Sequence, residues 1–419
     1  MDIITAQDAD YENYRHVYTA RGNPSTVFLP NTAQEVSFAL STARADGRPF
    51  AIRSGGHGIS SVSTNDGGLV IDLRRLNSVV RLGPQTVAVG PGARWEQVAR
   101  SLHPWGLALS SGDSGDVGVG GLATTGGIGL LGRAHGLTID HLRAAEVVTA
   151  DGTIRHIDAD QDPDLFWAVR GAGANVGIVT SFVFDARPVP GVVQATLFFG
   201  IQDAAGFLHT WGEIVEAAPR ELSAFLYIAA GDAVQAQATI VVADTDEEAG
   251  RQMLGPFLSM PGLVQQIVRS TPYFEALVTT GEPHAGQQTA KSHNGLIDHL
   301  SGDLSGALAQ HLKEPAIDVV MIRSVGGAIN DLAASATAYA HRHQNFSVMS
   351  VSMTGGNAFD LAWNPIHERM DGMYLSFETG HLDRHVTEAF PPETLARLRE
   401  IKRRWDPDGV FNQNFNVAV

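Results

Sequence analysis

The chain has no cysteine. Disulfides, cysteine-ligated zinc, iron–sulfur clusters and thiol nucleophiles are excluded together. Basic residues are scarce: Lys and Arg number 29 against 45 Asp and Glu, a formal net charge of −16. That balance disfavours nucleic acid and anionic membranes as partners. No apolar run approaches the roughly 18 residues of a membrane span. The opening Met1-Asp2-Ile3-Ile4-Thr5-Ala6 lacks the basic and then apolar pattern of a signal segment. The expected location is the cytoplasm. Metal-ligand spacing is missing as well. The 16 histidines are scattered, and the pairs His341/His343 and His284/His293 are weak candidates. No catalytic metal is expected.

Glycine is abundant, at 45 residues, and clusters near 54–58, 112–136 and 171–177. No fixed-period repeat accounts for it. Clustering of this kind suggests loops that bind a ligand through their backbone. At 419 residues the chain exceeds one ordinary core, so two domains or one large α/β unit are expected. Thr32-Ala33-Gln34-Glu35 reads as a capping box, followed by Val36, Ala39, Leu40 and Ala43 at helical spacing and a stop at Gly47. Residues 69–73 and 86–89 read as strands. Trp95, Val98, Ala99 and Leu102 mark a helix stopped before Pro104. Residues 146–150 with Asp151-Gly152 read as a hairpin. After Pro188-Val189-Pro190 the texture changes to strands and helices with few glycine clusters. Gln235, Gln237 and Thr239 alternate with Ala236, Ala238 and Ile240, a half-buried strand. Residues 244–254 read as a helix, 346–353 and 373–378 as strands, and 395–405 as a last helix.

The sharpest motif is Arg53-Ser54-Gly55-Gly56-His57-Gly58. It follows the apolar run Phe50-Ala51-Ile52, so a strand ends in a glycine turn with a histidine at its tip. Glycine lets backbone N–H groups approach an anion closely. Taken alone, this motif fits a structural turn as well as a cofactor loop.

Three further motifs follow it in order: Val117-Gly118-Val119-Gly120-Gly121, then Gly171-Ala172-Gly173-Ala174-Asn175-Val176-Gly177-Ile178-Val179, then Asp406-Pro407-Asp408-Gly409-Val410-Phe411-Asn412-Gln413-Asn414. The ordered set resembles the FAD-linked oxidases of the vanillyl-alcohol oxidase type, in the berberine-bridge-enzyme-like and 6-hydroxynicotine-oxidase-like branch. The resemblance covers almost the whole chain. It implies an α+β fold: a two-part, PCMH-type FAD-binding domain with an inserted α/β substrate domain carrying an antiparallel sheet. The implied parts are 1–190, 191–380 and 381–419. It also implies that His57 attaches to the flavin 8α-methyl carbon and that the loop from Arg53 through Ser54, Gly55 and Gly56 to Gly58 holds the pyrophosphate. Ser114, Val117, Gly118, Gly121, Gly126, Gly127 and Ile128 fall in the second FAD segment. Asn175, Gly177 and Val179 fall in the third, while Asn412 and Asn414 approach the flavin ring.

Two departures stand out. Many relatives carry a second flavin link through cysteine where this chain has Ser114, so FAD can be covalent through His57 only. The resemblance pairs single attachment with a narrower site than the open carbohydrate grooves of doubly linked relatives. The tyrosine that relatives carry before the last helix is absent around Phe390. This absence favours amines or activated substrates unless another base replaces it. On the expected strand 373–378, Tyr374, Ser376 and Glu378 share one face; Tyr374 and Glu378 are the candidate catalytic residues, and an ordinary solvent face is the bland alternative. The implied activity is hydride transfer from a small or medium organic substrate (alcohol, amine or secondary metabolite) to flavin N5. Reoxidation by O₂ would then give H₂O₂. A tailoring enzyme of secondary metabolism and a flavin-binding homologue without turnover are the alternatives.

Overall fold

A computed structural model describes residues 1–229, 231, 234–244, 246–281, 284 and 290–418. Local rules set its first elements. Thr32 caps the helix Ala33–Asp46 by accepting a hydrogen bond from the Glu35 amide, and Gly47 ends it at φ +78°. Val36, Ala39, Leu40 and Ala43 are buried there. They pack on Phe28, Leu69 and Ile71 of the neighbouring sheet, as an amphipathic stripe should. The expected capping box forms only by half. The Glu35 carboxylate turns instead to the Asn31 amide and to the Met1 terminus.

That sheet has four strands, in the order Asp2–Thr5, Thr26–Leu29, Leu69–Asp72, Phe50–Arg53. Phe50–Arg53 and Leu69–Asp72 run parallel. A parallel pair needs a crossover between its strands, and the crossover here is the glycine–histidine segment. Its loop therefore leaves from the carboxyl end of a strand, where open α/β sheets place their ligands.

A five-stranded antiparallel sheet follows, in the order Val79–Arg81, Thr86–Val89, Ile178–Asp185, Leu142–Val148, Ile154–Asp158. The expected hairpin is present: Val148 pairs with Ile154 across the Asp151-Gly152 turn. The expected helix is Trp95–Leu102.

From Val192 the chain builds a seven-stranded sheet ordered Leu263–Thr271, Val192–Ile201, Val234–Val242, Leu222–Ala229, Val319–Ser324, Phe346–Ser352, Lys291–Ile297. Every pairing in it is antiparallel. Helices Ala204–Ala217, Glu247–Leu258, Gly302–His311 and Asn357–His367 cover one face with a core that includes Trp211, Phe257, Leu308 and Trp363. The helix read at 244–254 thus begins and ends later, at Glu247 and Leu258, because Asp246 supplies the cap. The opposite face of the sheet, through Phe225, Val241 and Leu296, packs on Ile128, Leu131 and Tyr339. On the polar series Gln235 and Gln237 stay exposed, while Thr239, further along the strand, is covered.

The chain rejoins the first core at Met373. The helix Pro392–Trp405 and the tail residues Phe415 and Val417 pack with Val87, Phe182 and Leu165. The tail thereby completes the glycine-rich part.

The interior stores several neutral histidines. Burial lowers His57, His141, His311 and His341 to about 4. The unfolded chain binds protons at these sites below about pH 6.5, while the folded chain does not until about pH 4. Their stabilising contribution is therefore complete above pH 6.5 and lost as pH falls towards 4. At pH 5 each group costs on the order of 1–2 kcal/mol. Thermal unfolding followed from pH 8 to pH 4 should show Tm constant above pH 6.5 and falling steeply below it. A flat Tm down to pH 4.5 would contradict this account.

Candidate functional site

Three loops meet at the glycine–histidine segment. A Cβ placed on Gly55 would lie 2.5 Å from the Gly118 nitrogen, and one on Gly118 would lie 2.2 Å from the Gly55 nitrogen. Only two glycines permit that approach. Ser54 bolts the third loop to them: its hydroxyl donates to the Pro91 carbonyl at 2.6 Å and accepts from the Gly120 amide at 3.0 Å. Val117 holds the same seam through its carbonyl, which accepts from the Trp95 amide. On the other side nothing lies within 4 Å of a Cβ at Gly58 or Gly121. The cradle is tight behind and open in front.

His57 sits in that cradle. Its ring stacks on Tyr18 at 4.2 Å and 11°, and meets the edge of His284 at 5.1 Å. His284 is fixed by a contact of Nε2 with the Gly55 carbonyl at 3.1 Å. Burial first, then the neighbouring His284, pushes His57 down to about 4. Its imidazole is therefore neutral at physiological pH, the nucleophilic form. Among the described residues its buried Nδ1 has no hydrogen-bond partner. An unpaired buried polar atom calls for an explanation, and a bound group supplies one. Asn414 Oδ1, from the tail, is another of several such atoms. The residues present fit a flat, polar, covalently held cofactor. His57 would anchor it, residues 55–58 and 118–121 would carry its phosphates, and Asn414 would meet its polar edge.

Other expected positions do different work. Arg53 does not face the cradle. Its guanidinium is buried against the Tyr14 and Ser63 carbonyls and Asp72, and its own carbonyl accepts from the Leu73 amide. The Arg53 side chain thus ties the loop down. Asn175 likewise spends its amide on the tail, accepting from the Val417 amide and donating to the Phe415 carbonyl. Gly177 is required by packing, since a Cβ there would lie 2.4 Å from Val147. Val179 stands at an irregularity of its strand and is buried. Asn412 is exposed. Ile128 packs between the two parts. Ser114 is half-buried and offers at most a hydroxyl, and its neighbours are zipped to residue 278.

The expected strand 373–378 is not formed. Leu375–Phe377 is a 3-10 turn, closed by the Phe377 and Glu378 amides on the Tyr374 and Leu375 carbonyls. The turn separates the residues expected on one face. The Tyr374 hydroxyl accepts from the Gly127 amide at 2.9 Å and braces Gly126 and Gly127. The fully buried Glu378 accepts from the Gly380 amide and meets His293 Nδ1 at 3.1 Å, while His293 Nε2 meets Asp360 at 2.7 Å. Both candidates are committed to structure, so neither serves as a free base. Tyr18, His284 and Asp113 were not singled out from sequence, since no spacing links them to His57.

Fold and site together define a flavoprotein that holds FAD. Residues 24–158 match the FAD binding domain family, and residues 373–418 match the family described as berberine and berberine like. An uncharacterized FAD-linked oxidoreductase of Bacillus subtilis is 28% identical over 98% of this chain and 95% of its own length. The (R)-6-hydroxynicotine oxidase of Paenarthrobacter nicotinovorans is 24% identical over 99% and 96%. Among solved structures, a chitooligosaccharide oxidase has a TM-score of 0.89 at 23% identity, covering 99% of this chain and 97% of that one. The glucooligosaccharide oxidase of Acremonium strictum, whose FAD is described as 6-S-cysteinyl and 8α-N1-histidyl, has a TM-score of 0.84 at 21% identity over 99% and 96%. The chain thus carries an FAD binding domain and a berberine and berberine like segment, and it is similar to FAD-linked oxidoreductases over nearly its whole length.

The tail that carries Asn414 hangs on Lys402. Its buried ammonium donates to the carbonyls of Asn175 and Phe411 and to Asp406, which also accepts the Val410 and Phe411 amides. Lys402→Met leaves Asp406 buried without its cation, so stability should fall by about 3–5 kcal/mol. Urea unfolding of both proteins measures it. A loss below about 1 kcal/mol, the level of a surface ion pair, would refute the latch.

Proposed function

We propose that the protein oxidises a small or medium organic substrate and passes the electrons to O₂, releasing H₂O₂. The carrying observation is the neutral His57 with its buried, unpartnered Nδ1 at a glycine-walled cradle. When bound, FAD supplies the hydride acceptor at N5 and the route of electrons to oxygen. The protein supplies the rest. Tyr18 and His284 fix the imidazole, so its lone pair points one way. Ser114 in place of cysteine leaves His57 as the single covalent anchor. The seven-stranded sheet closes over the front of the glycine-rich part through Phe225 and Val241, which excludes water from the reaction. Around Arg323 lie Phe225, Tyr227, Met321 and Met349 of that sheet and Phe377 of the 3-10 turn. Such a lining suits a compact, partly apolar substrate better than a long carbohydrate.

Acid-denatured protein tests the proposal. Yellow flavin should stay with the chain, and the tryptic peptide containing His57 should carry the added FAD mass. His57→Ala should lose all acid-stable flavin. Turnover under air should release one H₂O₂ per substrate oxidised. Flavin that washes out of the wild type, or turnover without peroxide, would overturn the corresponding half of the reading.

A further inference from the structure

With Tyr374 and Glu378 engaged elsewhere, Asp113 is a carboxylate near His57 whose side-chain donors gather on one oxygen. Asp113 precedes Ser114, and its carbonyl accepts from the Val278 amide at 2.9 Å. Its Oδ2 takes the Tyr227 hydroxyl at 2.7 Å, Arg323 Nε at 3.1 Å and Arg323 Nη2 at 3.1 Å. Among the described residues no other residue donates to Oδ1, and the only further donor to the carboxylate is the Asp113 amide itself. The Asp113 side chain keeps 21% of its surface open, while its partner Arg323 keeps 7%. It also lies within the electrostatic reach of His57, whose imidazole feels its charge.

A purely structural ion pair looks different in this molecule. Arg342 grips Asp140 with both nitrogens on both oxygens, each at 2.8 Å, and the two side chains are 3% and 7% exposed. That fork is closed. The Arg323 fork is not: both contacts fall on one oxygen of Asp113. The remaining reach of Arg323 is towards sulfur, with Met321 at 3.7 Å and Met349 at 4.0 Å, and its face lies 4.4 Å over Phe377. No second carboxylate competes for it there.

We propose that Asp113 is the proton acceptor of the reaction and that the site accordingly takes a hydroxyl-bearing substrate, whose O–H proton passes to Asp113 Oδ1. The inference rests on the oxidase reading above. In the step, the substrate C–H bond breaks and its hydride, with two electrons, goes to the flavin. The O–H bond breaks and its proton goes to Oδ1, and a C=O bond forms. The substrate is oxidised and the flavin is reduced. Burial pushes the Asp113 carboxyl up, but the Arg323 charge and the Tyr227 hydroxyl outweigh it and hold the group below its ordinary value. A weak base suffices, because the substrate O–H becomes acidic as the hydride leaves. Tyr227 is not the base. Burial and the Asp113 charge push its phenol up, so it remains a donor to Oδ2. The titratable groups facing Asp113 are Arg323, Tyr227, Tyr273 and, across the cleft, His57. This carboxylate does the work for which the tyrosine missing near Phe390 is absent, so the preference for amines no longer follows.

The test uses the full flavin-bearing chain and a panel of aromatic and aliphatic alcohols, each matched with its methyl ether and its amine. Anaerobic flavin bleaching by the alcohols should be about 10²–10⁴-fold slower in Asp113→Asn, with acid-stable flavin retained. Binding, read from the flavin absorbance, should favour each alcohol over its ether in the wild type but not in Asp113→Asn. Tyr227→Phe removes one donor to the carboxylate, raises its pKa and should move the acid limb of the bleaching rate to higher pH. This variant keeps the Arg323–Asp113 pair and serves where Asp113→Asn fails to fold. Bleaching by amines alone, or an Asp113→Asn rate equal to wild type, or an acid limb unmoved in Tyr227→Phe, overturns the assignment while leaving the oxidase intact. A wild type without flavin overturns the oxidase reading first, and this one with it.

Discussion

Everything at the site depends on two backbones touching. Gly55 and Gly118 come from loops more than 60 residues apart, yet neither can accept a methyl group without striking the other's nitrogen. This contact brings the crossover loop of a parallel strand pair against the segment that opens the helix Val119–Thr125. The hydroxyl of Ser54 then locks a third loop at Pro91. With side chains removed from the seam, its other surface is left open, and His57 occupies it. Absence of a methyl group at each of two positions is thus the structural condition for the cofactor cradle.

The same seam organises the electrostatics. Asp116 sits behind His57, where the Thr280 amide and hydroxyl bond its carboxylate and Arg94 reaches its carbonyl. Those contacts keep the segment 113–116 zipped to 278–280. Desolvation remains the strongest influence on His57. A protonated histidine would be a poor nucleophile and would carry uncompensated charge into the cradle. Neutrality therefore serves both the anchor and the stability of the loop. The acid sensitivity of the fold follows from the same choice, repeated at His141, His311 and His341.

Much of this was legible in the sequence, and the failures have physical reasons. Helical spacing located Ala33–Asp46 and Trp95–Leu102, and glycine clustering marked the loops of the cradle. These signals are local. Tyr374, Ser376 and Glu378 alternate with apolar residues just as a strand would. A 3-10 turn with a similar polar pattern is indistinguishable until the Asn294 side-chain oxygen accepts from the Tyr374 amide and the Tyr374 hydroxyl accepts from the Gly127 amide. The glycine neighbours of Arg53 are visible in the sequence, but the partners of its side chain, Asp72 and the Tyr14 and Ser63 carbonyls, are set by the sheet and the loop and follow no spacing. Asp113, Tyr227 and Arg323 stand in three segments separated by 114 and 210 positions from the first. Their meeting needs the inserted sheet to fold onto the glycine-rich part, which no spacing rule contains.

Three acids in the chain show how environment assigns function. Asp140 is closed on both oxygens by Arg342 and also accepts the Leu137 amide, so it has nothing left to give. Glu378 is fully buried and divided between His293 and the Gly380 amide, which makes it a strut between the inserted sheet and the returning chain. Asp113 is held ionised chiefly by Arg323 and Tyr227, both on Oδ2. The carboxyl chemistry is the same in all three. What differs is how the donors are shared between the two oxygens, and an acid whose donors gather on one oxygen is the one that can accept a proton from a substrate.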